Sequence, residues 1–176
     1  MRIFKFGGAS VKDADGIKNV FSVLEKVGHE DTLLVISAMG KTTNALELVI
    51  KNYFEKSNEL HSSLQEVKKY HYQILMDLFE DEEHDVFFAV NSHFADLEYF
   101  IRSNKSPNYN FVYDQVVSYG EIISTTIVSH YFAQAGLKNN WIDVRNFIKT
   151  DNTYRDANVD WEKTQQLISK GVKKKH

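Results

Sequence analysis

The strongest constraint on the fold is a pair of short apolar runs separated by one amphipathic segment. The first run, "RIFKF", stops at Gly7 and Gly8, and the second, "TLLVIS" at residues 32–37, is apolar almost throughout, as in a strand covered on both faces. Between them, apolar side chains recur at helical spacing, at Ile17, Val20, Phe21 and Leu24. Gly28 then favours the end of that helix. Strand, helix and strand with short joints predict a βαβ unit and a parallel sheet.

The polarity pattern changes after the second strand. From about residue 44 to residue 104, apolar residues recur at helical spacing, and an acidic stretch, "EDEEHD", interrupts them. The single proline of the chain, Pro107, leaves few forced breaks and so favours long helices. We therefore expect residues 44–104 to form helices packed on one another, with the acidic stretch as a solvated turn rather than a metal site.

The last third of the chain contains two more helical patterns. A long helix is predicted from about Tyr113 to Ala135, with Gly136 as its cap, and "WEKTQQLISKG" indicates a final helix that ends at Gly171. Between them, "NNWIDVRNFI" at residues 139–148 indicates a strand and a bend.

Composition limits the class of protein. A chain of 176 residues suits one domain, and a net charge of −3 gives no electrostatic reason to expect a nucleic acid or an anionic membrane. The absence of cysteine excludes disulfides, thiolate metal sites and cysteine nucleophiles. No stretch reaches the roughly 20 apolar residues of a membrane span, and the N-terminus has no apolar signal core. We predict a cytoplasmic protein.

The first motif with chemical potential is "KFGGAS", at the turn that follows the first strand. Glycines there allow backbone N–H groups to point at a phosphate, and Lys5 adds a point charge. A plain tight turn with a surface lysine explains the same residues. The spacing matches neither the P-loop nor the dinucleotide-binding fingerprint.

The second motif, "SAMGKTTN", follows the second strand, where open α/β sheets bind their ligands. Hydroxyl and amide groups suited to a small polar substrate occur at Ser37, Thr42, Thr43 and Asn44. The same residues also serve as turn formers and helix N-caps, so this motif alone leaves both interpretations open.

The third motif is "SYGE", within the long helix. A glycine inside a helix costs about 1 kcal/mol relative to alanine, so Gly120 indicates either close helix packing or a ligand contacted by Glu121. The seven histidines are scattered, and none has the spacing of a helical metal site. We expect His71 to be packed or partly exposed rather than catalytic.

Taken together and in this order, the motifs resemble the N-terminal part of aspartate kinases, which belong to the amino acid kinase family. The matching stretches are "KFGGAS", "VISAMGKTTN", "SYGEIIS" and, more weakly, "WIDVRNFIKTD". The resemblance implies a three-layer α/β/α fold with a mainly parallel sheet, of which this chain contains the N-terminal half and a helical insertion. It also implies transfer of a phosphoryl group from ATP to L-aspartate, giving 4-phospho-L-aspartate, the entry step to lysine, threonine and methionine.

The resemblance assigns roles residue by residue. Lys5 would stabilise the transferring phosphoryl group, and Glu121 would bind the α-ammonium group of aspartate. The remaining phosphate contacts would be Gly7, Gly8 and Ser10. The remaining aspartate contacts would be Ser37 and Thr43, with Gly40 giving the loop room. Mg²⁺ would arrive with the nucleotide, and Gly120 would let the ligand approach the helix.

Two departures from the family pattern matter. Ala9 stands where the family usually has threonine, a modest change because backbone donors do not depend on that side chain. The family's later elements are also missing: a glycine-rich loop, an arginine that contacts aspartate, most ATP contacts and the regulatory ACT domains. We therefore expect residues 1–176 to be a partial amino acid kinase domain, with its helical region at 44–104. We expect it to be inactive or nearly so alone, from a homo-oligomeric parent.

Two alternatives remain at this point. Another amino acid kinase, acting on a different carboxylate or on a carbamate, would keep the fold and change the substrate. A non-catalytic module for ligand binding or dimerisation would bind aspartate without nucleotide. Competition among aspartate, glutamate and N-acetylglutamate distinguishes the first alternative from an aspartate kinase. A measurement of nucleotide binding distinguishes the second.

Overall fold

The computed structural model describes residues 1–171. Its elements are β1 (Arg2–Phe6), α1 (Ala14–Val27), β2 (Thr32–Ile36), α2 (Thr42–Phe54), α3 (Leu60–Leu78), α4 (Asp85–Ser103), α5 (Tyr109–Gln134) and α6 (Trp161–Gly171). Two short 3₁₀ turns lie at Gly8–Val11 and Val144–Asn146. None of the helices in residues 1–171 combines the length and apolar character needed to cross a membrane.

The predicted βαβ unit is confirmed. Strands β1 and β2 pair in parallel, with Arg2 opposite Thr32 and Phe6 opposite Ile36. The helix between them begins because the Asp13 side chain accepts a hydrogen bond from the Gly16 N–H (2.8 Å), which satisfies one of the free N–H groups of the first turn.

Helices cover only one face of this sheet within the described residues. Phe4 and Leu34 pack toward the core, whereas Ile3 and Val35 are 61% and 46% exposed. The continuous apolar run in β2 predicted a strand covered on both faces, but residues 1–171 cover only one face of it. Lys5 alternates with Phe4 along the strand and therefore stands on the uncovered face.

The helical region predicted at 44–104 is confirmed as α2, α3 and α4, which pack with α5 around one apolar core. The long helix α5 begins at Tyr109, four residues earlier than predicted, because the Asn108 side chain caps it by accepting from the Phe111 N–H (3.1 Å). It ends at Gln134, and Gly136 follows with a φ of 95°.

The predicted strand within residues 139–148 was wrong. This segment forms a 3₁₀ turn, in which the Asp143 carboxylate accepts from the Arg145 N–H (3.0 Å) and chelates the Arg145 guanidinium. A polar side chain that bonds its own backbone two residues on competes with strand pairing. Apolar alternation alone did not reveal this local competitor.

Candidate functional site

The site lies where the two parallel strands end, because their carboxyl ends meet at one edge of the sheet. The Ser37 N–H donates to the Phe6 carbonyl (3.1 Å), and the Gly40 N–H donates to the Gly8 carbonyl (3.0 Å). A Cβ on Gly8 would lie 2.7 Å from the Ala38 carbonyl oxygen. The second glycine of "KFGG" is therefore required for the close approach of the two loops.

Lys5 supplies a positive charge at this edge. Its Nζ lies 3.6 Å from where a Cβ of Gly7 would be, so the ammonium group stands beside the turn. Within residues 1–171 it has no hydrogen bond or salt bridge, and the side chain is exposed. Such an ammonium group is available to an anion, which fits the phosphate of a nucleotide.

Ser10 lies in the 3₁₀ turn that follows Gly7. Its N–H donates to the Gly7 carbonyl (2.9 Å), so this backbone donor is already used. The side chain is exposed, and its hydroxyl has no protein partner among the residues that the structure describes. Any contact of Ser10 with a phosphate would therefore come through the hydroxyl.

The loop after β2 separates the two threonines of "SAMGKTTN". Thr42 is buried, and its hydroxyl donates to the Met39 carbonyl (2.7 Å). Thr43 and Ser37 are half-buried, and neither hydroxyl has a protein partner within residues 1–171. Thr42 thus holds the loop, while Ser37 and Thr43 remain available to a ligand. Asn44 is exposed on the first turn of α2.

Gly40 is needed for both conformation and space. Its φ of 52° lies in the left-handed region that favours glycine, and a Cβ would lie 2.6 Å from the Tyr70 hydroxyl oxygen. That hydroxyl donates to the Lys12 carbonyl, next to the 3₁₀ turn. Helix α3 therefore contacts both loops of the site, and the room left by Gly40 is taken by Tyr70.

Helix α5 brings Glu121 to the loop after β2. One carboxylate oxygen, Oε1, accepts from the Ala38 N–H at 3.3 Å. This is the only hydrogen bond of the Glu121 carboxylate within the described residues, so Oε2 is available to a cationic group. The side chain is half-buried.

The sequence-based explanation of Gly120 by a nearby ligand was wrong. A Cβ at this position would lie 2.9 Å from the Ala38 Cβ and 3.4 Å from the Thr42 Cγ2. The space beside the helix is thus filled by the loop after β2. Close packing, the other interpretation of "SYGE", explains this glycine.

His71 is fully buried behind the loop, as expected of a packed histidine. Its Nδ1 lies 2.8 Å from the Val67 carbonyl, and its Nε2 lies 3.4 Å from the Thr42 hydroxyl. Burial disfavours the charged ring and lowers the pKa of His71 to about 4. A neutral imidazole therefore supports the loop at neutral pH.

Two contacts near Glu121 were missed by sequence reasoning. The buried Ser124 hydroxyl donates to the Ser37 carbonyl (2.8 Å), and the Trp141 indole donates to Thr125 (2.9 Å), one turn after Glu121. The spacing of "GEIIS", which places Gly120 and Ser124 on one helix face, was the available signal for the first. No pattern indicated the second.

The structure thus brings most predicted site residues to one edge of the sheet: Lys5, Gly7, Gly8, Ser37, Gly40, Thr43 and Glu121. Ser10 lies beside them on the 3₁₀ turn. Among the described residues, no group of three or more His, Asp or Glu side chains is arranged to hold a metal ion. The charges at this edge suit an anion at Lys5 and a cationic group at Glu121.

Comparison with known proteins defines the class. A profile of the amino acid kinase family matches residues 1–173, and the chain belongs to this family. It is similar to the N-terminal part of aspartokinases: 28% identical over 170 residues to bifunctional aspartokinase/homoserine dehydrogenase 2 of Escherichia coli, covering 95% of this chain and 21% of that protein. Aspartokinase 1, chloroplastic, of Arabidopsis thaliana is 29% identical over 157 residues, covering 85% of this chain and 27% of that protein.

Comparison with solved structures agrees with the family match. The structure matches E. coli aspartokinase III in complex with aspartate and ADP with a TM-score of 0.86 and 20% identity, covering 98% of this chain and 37% of that one. The expected amino acid kinase fold, present as its N-terminal part, is thereby confirmed. The chain spans about a fifth of the first of these relatives and under two fifths of the solved structure.

Proposed function

We propose that these residues form the aspartate-binding and phosphoryl-contacting part of an ATP-dependent aspartate kinase, which converts L-aspartate to 4-phospho-L-aspartate. One observation carries the proposal: Glu121 bonds through one carboxylate oxygen to the loop that contains Ser37 and Thr43, at the same sheet edge as Lys5. Within residues 1–171, its other oxygen and the two hydroxyls have no hydrogen-bond partner. Glu121 supplies an anion for an ammonium group, the two hydroxyls supply neutral donors, and Lys5 supplies a separate cation. This combination matches an amino acid that receives a phosphoryl group.

The chemistry needs no base from the protein. The side-chain carboxyl group of free aspartate is ionised at neutral pH, because its pKa is about 3.9. One of its oxygens attacks the γ-phosphorus of ATP, the bond from that phosphorus to the β–γ bridging oxygen breaks, and ADP leaves with the electron pair. Lys5 neutralises charge on the transferring phosphoryl oxygens, while Glu121 holds the α-ammonium group in place.

The nucleotide contributes the metal in this proposal. Mg²⁺, when bound with ATP, neutralises charge on its phosphates and orients them. Lys5 stands on the uncovered face of the sheet, so we place the remaining ATP contacts on residues outside 1–176. The matched aspartokinase III chain is long enough to supply them, since this chain covers 37% of it.

The domain assignment follows from the same argument and stays a proposal. Residues 1–176 are a partial amino acid kinase domain with its helical region at 44–104, and the nucleotide-binding half and ACT domains lie outside these residues. Alone, residues 1–176 would bind aspartate and release little ADP. The homo-oligomeric parent, the cytoplasmic location and the absence of nucleic-acid and membrane partners remain predictions.

The test has two parts. Calorimetry with L-aspartate, L-glutamate and N-acetylglutamate should show saturable binding of aspartate in preference to the other two. ADP release from MgATP should be the same with and without aspartate for this chain alone. Preference for glutamate or N-acetylglutamate would refute the substrate assignment, and aspartate-dependent ADP release would refute the division of the site.

A further inference from the structure

The peptide group between Ser37 and Ala38 is held from both ends by helix α5. Its carbonyl oxygen, on Ser37, accepts from the Ser124 hydroxyl at 2.8 Å, and its N–H, on Ala38, donates to the Glu121 Oε1 at 3.3 Å. In a trans peptide these two groups point in opposite directions. The two contacts together therefore define the orientation of the peptide plane.

The hydroxyl groups of α5 bond either within the helix or to neighbouring elements. The Thr125 hydroxyl donates to the Glu121 carbonyl (2.7 Å) and the Ser118 hydroxyl to the Gln115 carbonyl (3.1 Å), both within the helix. Ser124 instead donates across to the loop after β2. Its side chain is 0% exposed, so it cannot touch a ligand in this conformation.

Rotation of this peptide would remove the anchor of Glu121. If the carbonyl of Ser37 turned away, the Ala38 N–H would turn with it and leave Oε1 without its donor. Close packing of Gly120 against Ala38 keeps the helix near enough for both bonds. The hydroxyl of Ser124 thus acts on Glu121 through a single peptide group.

We propose that Ser124 is a positioning residue that sets the affinity for aspartate by orienting the Ser37–Ala38 peptide and thereby the Glu121 carboxylate. The inference rests on the proposed function for its ligand, and on the two hydrogen bonds for its mechanism. It assigns to Ser124 an effect on binding of the α-ammonium group, although the side chain is out of reach of the substrate.

The test compares Ser124→Ala with Ser129→Ala. Ser129 lies on the same helix and also donates to a loop, to Asn139 at 2.6 Å, but away from the strand ends. Loss of one hydrogen bond corresponds to a weakening of aspartate binding of about fivefold to tenfold in Ser124→Ala. Affinity for succinate, which lacks the ammonium group, should change less than twofold, and Ser129→Ala should bind both ligands as the wild type does.

A double-mutant cycle with Glu121→Gln separates positioning from a general structural effect. If Ser124 acts through Glu121, the double variant should bind aspartate no more weakly than Glu121→Gln alone. Multiplicative losses, or equal losses for aspartate and succinate, would overturn the inference. If Ser124→Ala does not fold, Ser124→Cys keeps the volume with a weaker donor and should give a smaller loss of the same kind.

Amide hydrogen exchange tests the mechanism without a ligand. The Ala38 amide should exchange faster in Ser124→Ala than in the wild type or in Ser129→Ala, because the Ser37–Ala38 peptide is no longer held in the orientation that points the N–H at Glu121. Unchanged exchange would overturn the inference whatever the binding data. Failure of the wild-type chain to bind aspartate, with faster Ala38 exchange in Ser124→Ala, would refute the proposed function and the link to affinity, while leaving the peptide contact intact.

Discussion

Glu121→Gln isolates the charge that the proposed function requires. In the wild type, the Ala38 nitrogen lies 3.3 Å from the Glu121 Oε1. Glutamine has nearly the same shape, and its amide oxygen can still accept from the Ala38 N–H. The change therefore keeps the contact that holds helix α5 to the loop. It removes the negative charge and places an NH₂ donor or a neutral oxygen where the ammonium group of aspartate would bind.

The expected size follows from the strength of hydrogen bonds to charged groups. Such a bond contributes about 1.5–3 kcal/mol, and the half-buried side chain places Glu121 toward the lower end of that range. We therefore expect aspartate to bind about 10- to 50-fold more weakly to Glu121→Gln. The thermal midpoint should stay within about 2 °C of the wild type, since the Ala38 contact is retained.

Calorimetry with two ligands checks this reasoning. The wild type should prefer aspartate over succinate, and Glu121→Gln should lose that preference while binding succinate at least as well as the wild type. Ser118→Ala, on the same helix, serves as the control because, within residues 1–171, its hydroxyl bonds only to its own helix. Equal aspartate affinity for wild type and Glu121→Gln would refute the assignment of Glu121 to the ammonium group.

Three further predictions test the packing, the cation and the buried histidine. Gly120→Ala should lower the free energy of unfolding by about 1 kcal/mol in urea titrations, because overpacking against Ala38 outweighs the helix propensity of alanine; a stabilised variant would contradict the packing explanation. Lys5→Met should weaken tripolyphosphate binding in calorimetry and shift the thermal midpoint by less than about 2 °C, since the ammonium group has no protein partner within residues 1–171; a larger shift, or unchanged binding, would count against it. Burial lowers the pKa of His71 to about 4 in the folded state, against 6.5 in the unfolded chain. The neutral ring therefore stabilises the fold fully above pH 6.5, and about 3 kcal/mol of this stability is lost as the pH falls to 4. In urea titrations at pH 7 and pH 4, the free energy of unfolding should fall less between the two pH values for His71→Asn than for the wild type.

The sequence could predict that most candidate residues lie at one edge of the sheet, because they follow the two strands in short segments. Gly7 and Gly8 follow one strand, Ser37, Gly40 and Thr43 follow the other, and parallel pairing brings both ends to one edge. Glu121 is the exception, because it lies far from both strands in the sequence and only the "SYGE" motif indicated a place for it in the site. The structure then showed why it reaches the loop: Gly120 lets the helix approach Ala38.

The two errors in secondary structure share a physical cause. The strand predicted within residues 139–148 depended on apolar alternation, but the local bonds between Asp143 and Arg145 form a 3₁₀ turn instead. The start of α5 was placed late because a cap is a single side-chain contact, from Asn108, outside the apolar repeat. In both places a polar side chain bonded to nearby backbone, which hydrophobic periodicity does not register.

By itself, the sequence determined the βαβ unit, the helical region at 44–104 and the small set of polar residues at the strand ends. These features are local, because strand and helix periods and glycine turns depend on neighbouring residues. Only the tertiary structure decided that Thr42 holds the loop while Thr43 is available, that Gly120 serves packing, and that Ser124 and Glu121 hold one peptide from both ends. The contacts of Gly120, Ser124 and Glu121 join residues far apart in the chain, where distance and direction, not residue type, determine which groups can bond. The Thr42 bond to Met39 is local, but the direction of the side chain, not its type, separates Thr42 from Thr43.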